Sequence, residues 1–255
     1  KISKKGKIVS VDINSSLLTA SSRPAKITSI QGDISITSHN SPTLTAGNNN
    51  VGSNRSHAII GFHTSTSGIG TTIQSNKIDV QSTIMGDLQL TGGHNSFAVI
   101  GYYQPNAVAG NNVEITDINI TFVSVPQVVL NANDTVLAGR LNGAAIIGTL
   151  DSFSSEKSNI NIQSGDIFLN GPIAGNSGVA RIINNNNNPT PISAPFDVNI
   201  NITGGSFGIT LVGGVGQPPQ FVDIYSSRNI NIDGIGAGQD FLINRIPVPP
   251  AGLTP

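Results

Sequence analysis

The chain has 255 residues and a mass of 26.3 kDa, enough for one sizeable domain. Only 11% of residues are charged against 37% hydrophobic, an unusual balance for an ordinary globular enzyme. Net charge is −1, and without the four lysines of the first seven residues nine basic residues face fourteen acidic ones, a mildly acidic body that disfavours nucleic acid.

The chain opens on Lys1-Ile2-Ser3-Lys4-Lys5-Gly6-Lys7. No apolar stretch follows, so the segment does not read as a signal peptide. Residues 1–24 are expected to form a basic segment with a cap strand. Gly32-Asp33-Ile34-Ser35-Ile36 comes next and matches Gly86-Asp87-Leu88-Gln89-Leu90, 54 residues on. The extra length of this first unit is placed in Thr45-Ala46-Gly47-Asn48-Asn49-Asn50-Val51-Gly52.

From there a loose repeat of about forty residues takes over. An apolar plug recurs as Ala58-Ile59-Ile60-Gly61, Ala98-Val99-Ile100-Gly101 and Ala145-Ile146-Ile147-Gly148. About twenty residues after each plug comes Ile-Asx-Ile, and further copies give Ile78-Asp79-Val80, Ile118-Asn119-Ile120, Ile160-Asn161-Ile162, Ile200-Asn201-Ile202 and Ile230-Asn231-Ile232. Ile78 and Ile118 stand 40 apart, and the same offset carries Leu88 to Val128 and Leu90 to Leu130. The last unit is degraded, with Phe221-Val222-Asp223-Ile224 in place of the plug.

Each unit reads as three short strands. Ile-x-Ile and Ile-x-Leu alternate with period two, their residues are β-branched, and Gly, Asn, Ser and Pro bound them. Helix formers are scarce: one Met, and only Glu114 and Glu156. The expected fold is all-β: a parallel β-helix, or β-solenoid, over residues 25–243. It has about five to six irregular coils of roughly forty residues with three short strands each. Arg245-Ile246-Pro247-Val248-Pro249-Pro250 cannot pair as a strand, so residues 244–255 are expected to be an extended tail.

Stacked coils place equivalent residues about 4.8 Å apart. One expected column is Asp79, Asn119, Asn161, Asn201 and Asn231, in which neighbouring amides hydrogen-bond as a ladder. Another, after the corner glycine, is Asp33, Asp87, Gln127, Asp166 and Ser206. Both columns are expected to be structural. Calcium along the acidic column is the sharper alternative, but one carboxylate per coil supplies few of the oxygens the ion needs.

The order Ala-x-Ile-Gly, then Asn-Ile-x-Ile-x-x-Gly-x-Ile-x-Leu-x-Gly-Gly, resembles the β-strand repeats of large bacterial cell-surface and adhesin-like proteins. Ile78 to Gly101 carries the likeness best, with Leu90-Thr91-Gly92-Gly93 leading into Ala98-Val99-Ile100-Gly101. It extends over roughly Ala25 to Gly234. Gly143-Ala144-Ala145-Ile146 also resembles the Gly-Gly-Ala-Ile repeats of chlamydial polymorphic membrane proteins, without their Phe-x-x-Asn motif. The resemblance, which includes autotransporter-passenger-like chains, implies a right-handed helix on a secreted or surface-anchored protein. Virion fibres and tailspikes use β-helices too.

Catalytic and metal signals are thin. A glycosidase needs two carboxylates about 5–9.5 Å apart, and Asp33/Asp87 or Asp87/Asp166 are the pairs to consider. The adjacent Asp-Asp of polygalacturonase-like sites and the calcium-plus-Arg pattern of pectate lyase-like sites are absent. His39, His57, His63 and His94 offer no third zinc ligand and are expected at turns or the surface. There is no Cys, hence no disulfide framework. No run of 18 apolar residues crosses a membrane.

The segments after each plug vary most: Phe62–Thr71, Tyr102–Asn111, Thr149–Ser158 and Asn184–Pro195. Recognition on a rigid stack sits in such loops, with Tyr102, Tyr103 and Phe153 as candidate contacts. The expected function is a non-catalytic extracellular adhesin or structural surface element without a cofactor, meeting a glycan, a protein or copies of itself. A self-assembling fibre or appendage subunit at a virion or cell surface is the alternative, and a polysaccharide hydrolase or lyase comes third.

Overall fold

A computed structural model describes residues 2–4, 8–13, 17–19, 25–29, 33–39, 41–47, 57–62, 72–82, 86–103, 112–122, 127–132, 143–152, 159–172, 176–186, 197–214, 220–226, 228–236 and 240–244. Among them every regular element is a β-strand. The first sheet comprises β1 (Ile2–Lys4), β4 (Ala25–Ser29), β7 (Ala58–Phe62), β10 (Phe97–Tyr103), β13 (Gly143–Ser152), β16 (Gly178–Asn186) and β19 (Gln220–Ser226). The second comprises β2 (Ile8–Ile13), β5 (Asp33–Ser38), β8 (Thr72–Ser82), β11 (Asn112–Phe122), β14 (Asn159–Ser164), β17 (Asp197–Ile202) and β20 (Asn229–Asp233). The third comprises β3 (Leu17–Thr19), β6 (Thr43–Thr45), β9 (Leu88–Thr91), β12 (Gln127–Asn131), β15 (Asp166–Asn170), β18 (Gly208–Val212) and β21 (Asp240–Asn244).

All pairing between these strands is parallel, and each pairs with the strand three places on. That is the parallel β-helix expected from the repeat. The coils read from the sequence run from β4 to β21, and β1–β3 add a turn ahead of them.

The interior follows from the alternation. Strands such as β5 and β14 bury every second residue. The register stacks like on like. In the first sheet Ile27, Ile60, Ile100, Ile147 and Ile182 form one column. In the second Ile34, Ile78, Ile118, Ile160 and Val198 do so. In the third the column is Leu44, Leu90, Leu130, Leu169 and Leu211. All belong to one buried cluster. Each such side chain contributes about 1.5–3 kcal/mol by leaving water.

The plug reads as an unbroken apolar run because the first sheet is buried on both faces at β7, β10 and β13. Ile59, Val99 and Ile146 alternate with the interior residues, yet they are buried in a second cluster with Phe97, Ala144 and Ile183. His57 belongs to this region. Its ring stacks on Phe97 at 4.6 Å and 12°, and its Nδ1 accepts the Phe97 N–H at 3.1 Å. It is buried, not a surface or turn histidine as expected, because the residue that leads into the plug falls under the same apolar cover.

The plug glycines have a structural cause. Gly61, Gly101 and Gly148 stack in register with φ of 125°, 122° and 124°. These values lie in a region that only glycine adopts readily.

Candidate functional site

The second sheet turns its polar residues outward. Register places Ser35, Asp79, Asn119, Asn161, Asn199 and Asn231 in one column. Asn119 Nδ2 donates to Asp79 Oδ1 at 2.8 Å, and Asn161 Nδ2 to Asn119 Oδ1 at 2.7 Å. Asn199 Nδ2 donates to Asn161 Oδ1, and Asn231 Nδ2 to Asn199 Oδ1, each at 2.8 Å. All four bonds run the same way. Asp79 sets the direction: an ionised carboxylate only accepts, so Asn119 must turn its NH₂ toward it, and every later amide inherits that orientation.

Two polar columns flank this one. Thr37, Gln81, Thr121, Gln163, Asn201 and Asp233 lie on one side, and Gln81 Nε2 donates to Thr37 Oγ1 at 3.0 Å. On the other side are Lys77, Asp117, Asn159, Asp197 and Asn229. Lys77 Nζ stands 3.4 Å from Asp79 Oδ1, and Asn159 Oδ1 accepts the Asp197 N–H at 3.2 Å. The central column, the flank from Gln81 to Asp233 and, of the other flank, Lys77 line an open trough of about 740 Å³. An amide has two N–H groups and two acceptor lone pairs, and a ladder link uses one of each. Asn119, Asn161 and Asn199 therefore keep one donor and one acceptor site apiece for whatever lies in the trough.

The expected ladder is thus present with one substitution. Asn199, not Asn201, is its fourth member; Asn201 faces Gln163 in the flanking column. This gives a direct test. Asn161→Leu breaks two links and is expected to cost about 1–2 kcal/mol, whereas Asn201→Leu costs under about 0.5 kcal/mol. Urea unfolding followed by circular dichroism measures both, and equal losses would place the ladder elsewhere.

The expected acidic column forms only in part: Asp87, Gln127 and Asp166 stack, whereas Asp33 does not, and the register that pairs Ile167 with Ile209 takes Ser206 out of it. Asp33 lies in β5 of the second sheet, whereas Asp87 precedes β9 of the third. The two cannot stack or serve as one carboxylate pair. Asp87 and Asp166 do share a column, but Gln127 lies between them. Each is engaged with the following coil. Asp87 Oδ1 accepts the Gln127 N–H at 2.9 Å. Asp166, buried, accepts the N–H groups of Ser206 (3.1 Å), Phe207 (2.9 Å) and Gly208 (2.7 Å). Among the described residues no three His, Cys, Asp or Glu side chains gather around a common point.

One of the three expected aromatic contacts falls differently from expectation. Tyr102 is a core residue, 1% exposed, because the alternation of Ala98 and Ile100 continues through Gly101 and carries it inward. Tyr103 ends β10, and its side chain lies outside the described residues, as do Phe153 and His63. Most of the four variable segments lies outside them too: 63–71, 104–111, 153–158 and 187–196. Sequence reasoning missed Asn199 and the Gln81–Thr121–Gln163 column, whose signal was the polar residue at every second place in Ile-x-Ile strands.

No family model matches the chain, and no curated protein or solved structure matches it.

Proposed function

We propose that this chain is a non-catalytic surface β-helix, an exterior adhesin or structural element that lays the outer face of its second sheet along an extended neutral glycan. The observation that carries this reading is the amide ladder. It repeats the same donor and acceptor pair at the strand spacing of about 4.8 Å, which suits a polymer that repeats its own hydroxyls. The centre of the trough supports a neutral ligand, because Asn119, Asn161, Asn199, Thr121 and Gln163 carry no charge there. Exterior placement rests on the resemblance to cell-surface repeats.

A catalytic reading loses its best carboxylate pair once Asp33 and Asp87 fall in different sheets. A fibre or appendage subunit is the second reading, favoured by the exposed apolar residues of the last coil.

A glycan array followed by calorimetric titration tests the proposal. Binding of a linear neutral oligosaccharide is expected, with Gln163→Ala weakening it about tenfold, or roughly 1.4 kcal/mol. Gln163 is exposed, so this change should leave the fold intact. No binding across the array, or equal binding by the variant, would sink the trough as the site. Reducing-sugar release that disappears on changing one acidic residue would overturn the non-catalytic reading.

A further inference from the structure

The last coil is open where the earlier ones are closed. Its position in the second-sheet column is Ile230, which is 44% exposed, while Ile34, Ile78, Ile118, Ile160 and Val198 below it are each 0% exposed. Val222, Ile224 and Ile232 are only partly buried, and Tyr225 and Ile235 are exposed. The strands β19, β20 and β21 are the outermost of their three sheets, with one ladder edge each unpaired among the described residues. Such an edge is a template for a further parallel strand.

The opposite end supplies strands of matching kind. β1, β2 and β3 are the outermost strands of the same three sheets, in the same order. Their register continues the columns of the stack. Ile2 stands in the column of Ile27 that ends at Ile224. Val9 and Val11 stand in the columns of Ile34 and Ile36 that end at Ile230 and Ile232. Leu18 stands in the column of Leu44 that ends at Ile243. A first coil set on a last coil would therefore put a β-branched or Leu residue on each of these four positions.

Charge agrees. The first nineteen residues hold four lysines and one aspartate, whereas residues 220–244 hold three aspartates and one arginine. The amide ladder agrees as well. Asn231 donates to Asn199, so its Oδ1 is left to accept from a next rung. Ser10, which stands in this column opposite Ser35, is a residue type that donates. One opposition is unfavourable: Asp12 would face Asp233.

We propose that the last coil of one copy stacks on the first coil of a second, so that the three sheets run on head to tail. The contact joins unlike ends, so it repeats without closing and yields an open filament. It is independent of any glycan in the trough.

Light scattering after size-exclusion chromatography tests this. The chain is expected to give species above 26.3 kDa whose mass grows with concentration. Ile230→Lys blocks one end and Val9→Lys the other, so each alone should remain monomeric. An equimolar mixture of the two retains one compatible pair of ends and should give a dimer and nothing larger. Circular dichroism checks that both variants keep the fold of the parent. Asp233→Lys, on an exposed residue, removes the like-charge opposition and should tighten association about tenfold. A parent chain that stays monomeric to its solubility limit would overturn the proposal. So would an oligomer that Ile230→Lys leaves unchanged, or folded variants whose mixture forms no dimer.

Discussion

Gly101→Ala is expected to remove more than about 4 kcal/mol of stability, a large share of the 5–15 kcal/mol typical of a domain. Two causes add. Gly101 has φ of 122°, where a side chain costs about 1–3 kcal/mol. An added Cβ would also stand 2.1 Å from the carbonyl oxygen of Gly148 in the next coil. That oxygen is backbone, held by its own sheet, and has no rotamer to escape into. Relief would require the two coils to separate locally, in a stack whose interior columns run through both. The same argument holds for Gly61, whose added Cβ would meet the Gly101 oxygen at 2.1 Å. A urea midpoint followed at the β-sheet circular dichroism band is the measurement. A loss below about 1 kcal/mol would mean that the coils yield there, and that the glycine column does not fix their spacing.

The second large effect is at Asp166. Its carboxylate holds three successive backbone N–H groups of the next coil, at Ser206, Phe207 and Gly208. Gly205 makes the approach possible: at φ of 130°, an added Cβ there would lie 2.3 Å from Asp166 Oδ1. Successive N–H groups turned toward one anion form a concave nest, and a hydrogen bond to a charged acceptor contributes about 1.5–3 kcal/mol net of exchange with water. Ser206 and Phe207 are exposed, so water takes over their N–H groups when the carboxylate is gone. Gly208 is buried, and its N–H would be left alone. Asp166→Ala is expected to cost about 3 kcal/mol. Asp166→Asn should cost about half as much, since one oxygen still accepts while the NH₂ opposes a donor. Hydrogen exchange gives the local readout: the Gly208 amide should lose protection first in the alanine variant. Unchanged protection there would show that the corner is held by the coil itself and not by the carboxylate.

The architecture was legible because period and alternation are both written in side chains. Ile78 to Ile118 and Leu90 to Leu130 pair across the offset of 40 that the repeat implied. Register within a strand was less legible, for a physical reason. A slip of two residues keeps every side chain on its face, so Asn199-Ile200-Asn201-Ile202 fits the ladder equally well by pattern at either asparagine. Only the neighbouring corners decide between them, and corners carry no period. Asp33 was misplaced in the same way, because Gly-Asp-Ile-Ser-Ile suits the second sheet as well as the third. Tyr102 and His57 were misread for another reason. Glycine 101 looked like a strand end, and a histidine before a plug looked like a turn, because nothing local announces that the first sheet is buried on both faces there. The trough was legible only in part. Its central amides were foreseen, but its long flank arises from a second column, Gln81 to Asp233, that the register sets beside them.

The distance along the chain between paired strands has a kinetic consequence. Strands meet their partners only after a loop of between 25 residues (Ile2 to Ile27) and 47 residues (Ile100 to Ile147) has been closed, and the ladder links between Asn119 and Asp79 (40 apart) and between Asn161 and Asn119 (42 apart) lie within that range. Closing a loop costs entropy before any contact rewards it, so the first two coils to meet form the slow nucleus. After that, each new coil lands on an edge that already exists, and growth from the nucleus proceeds one coil at a time in either direction.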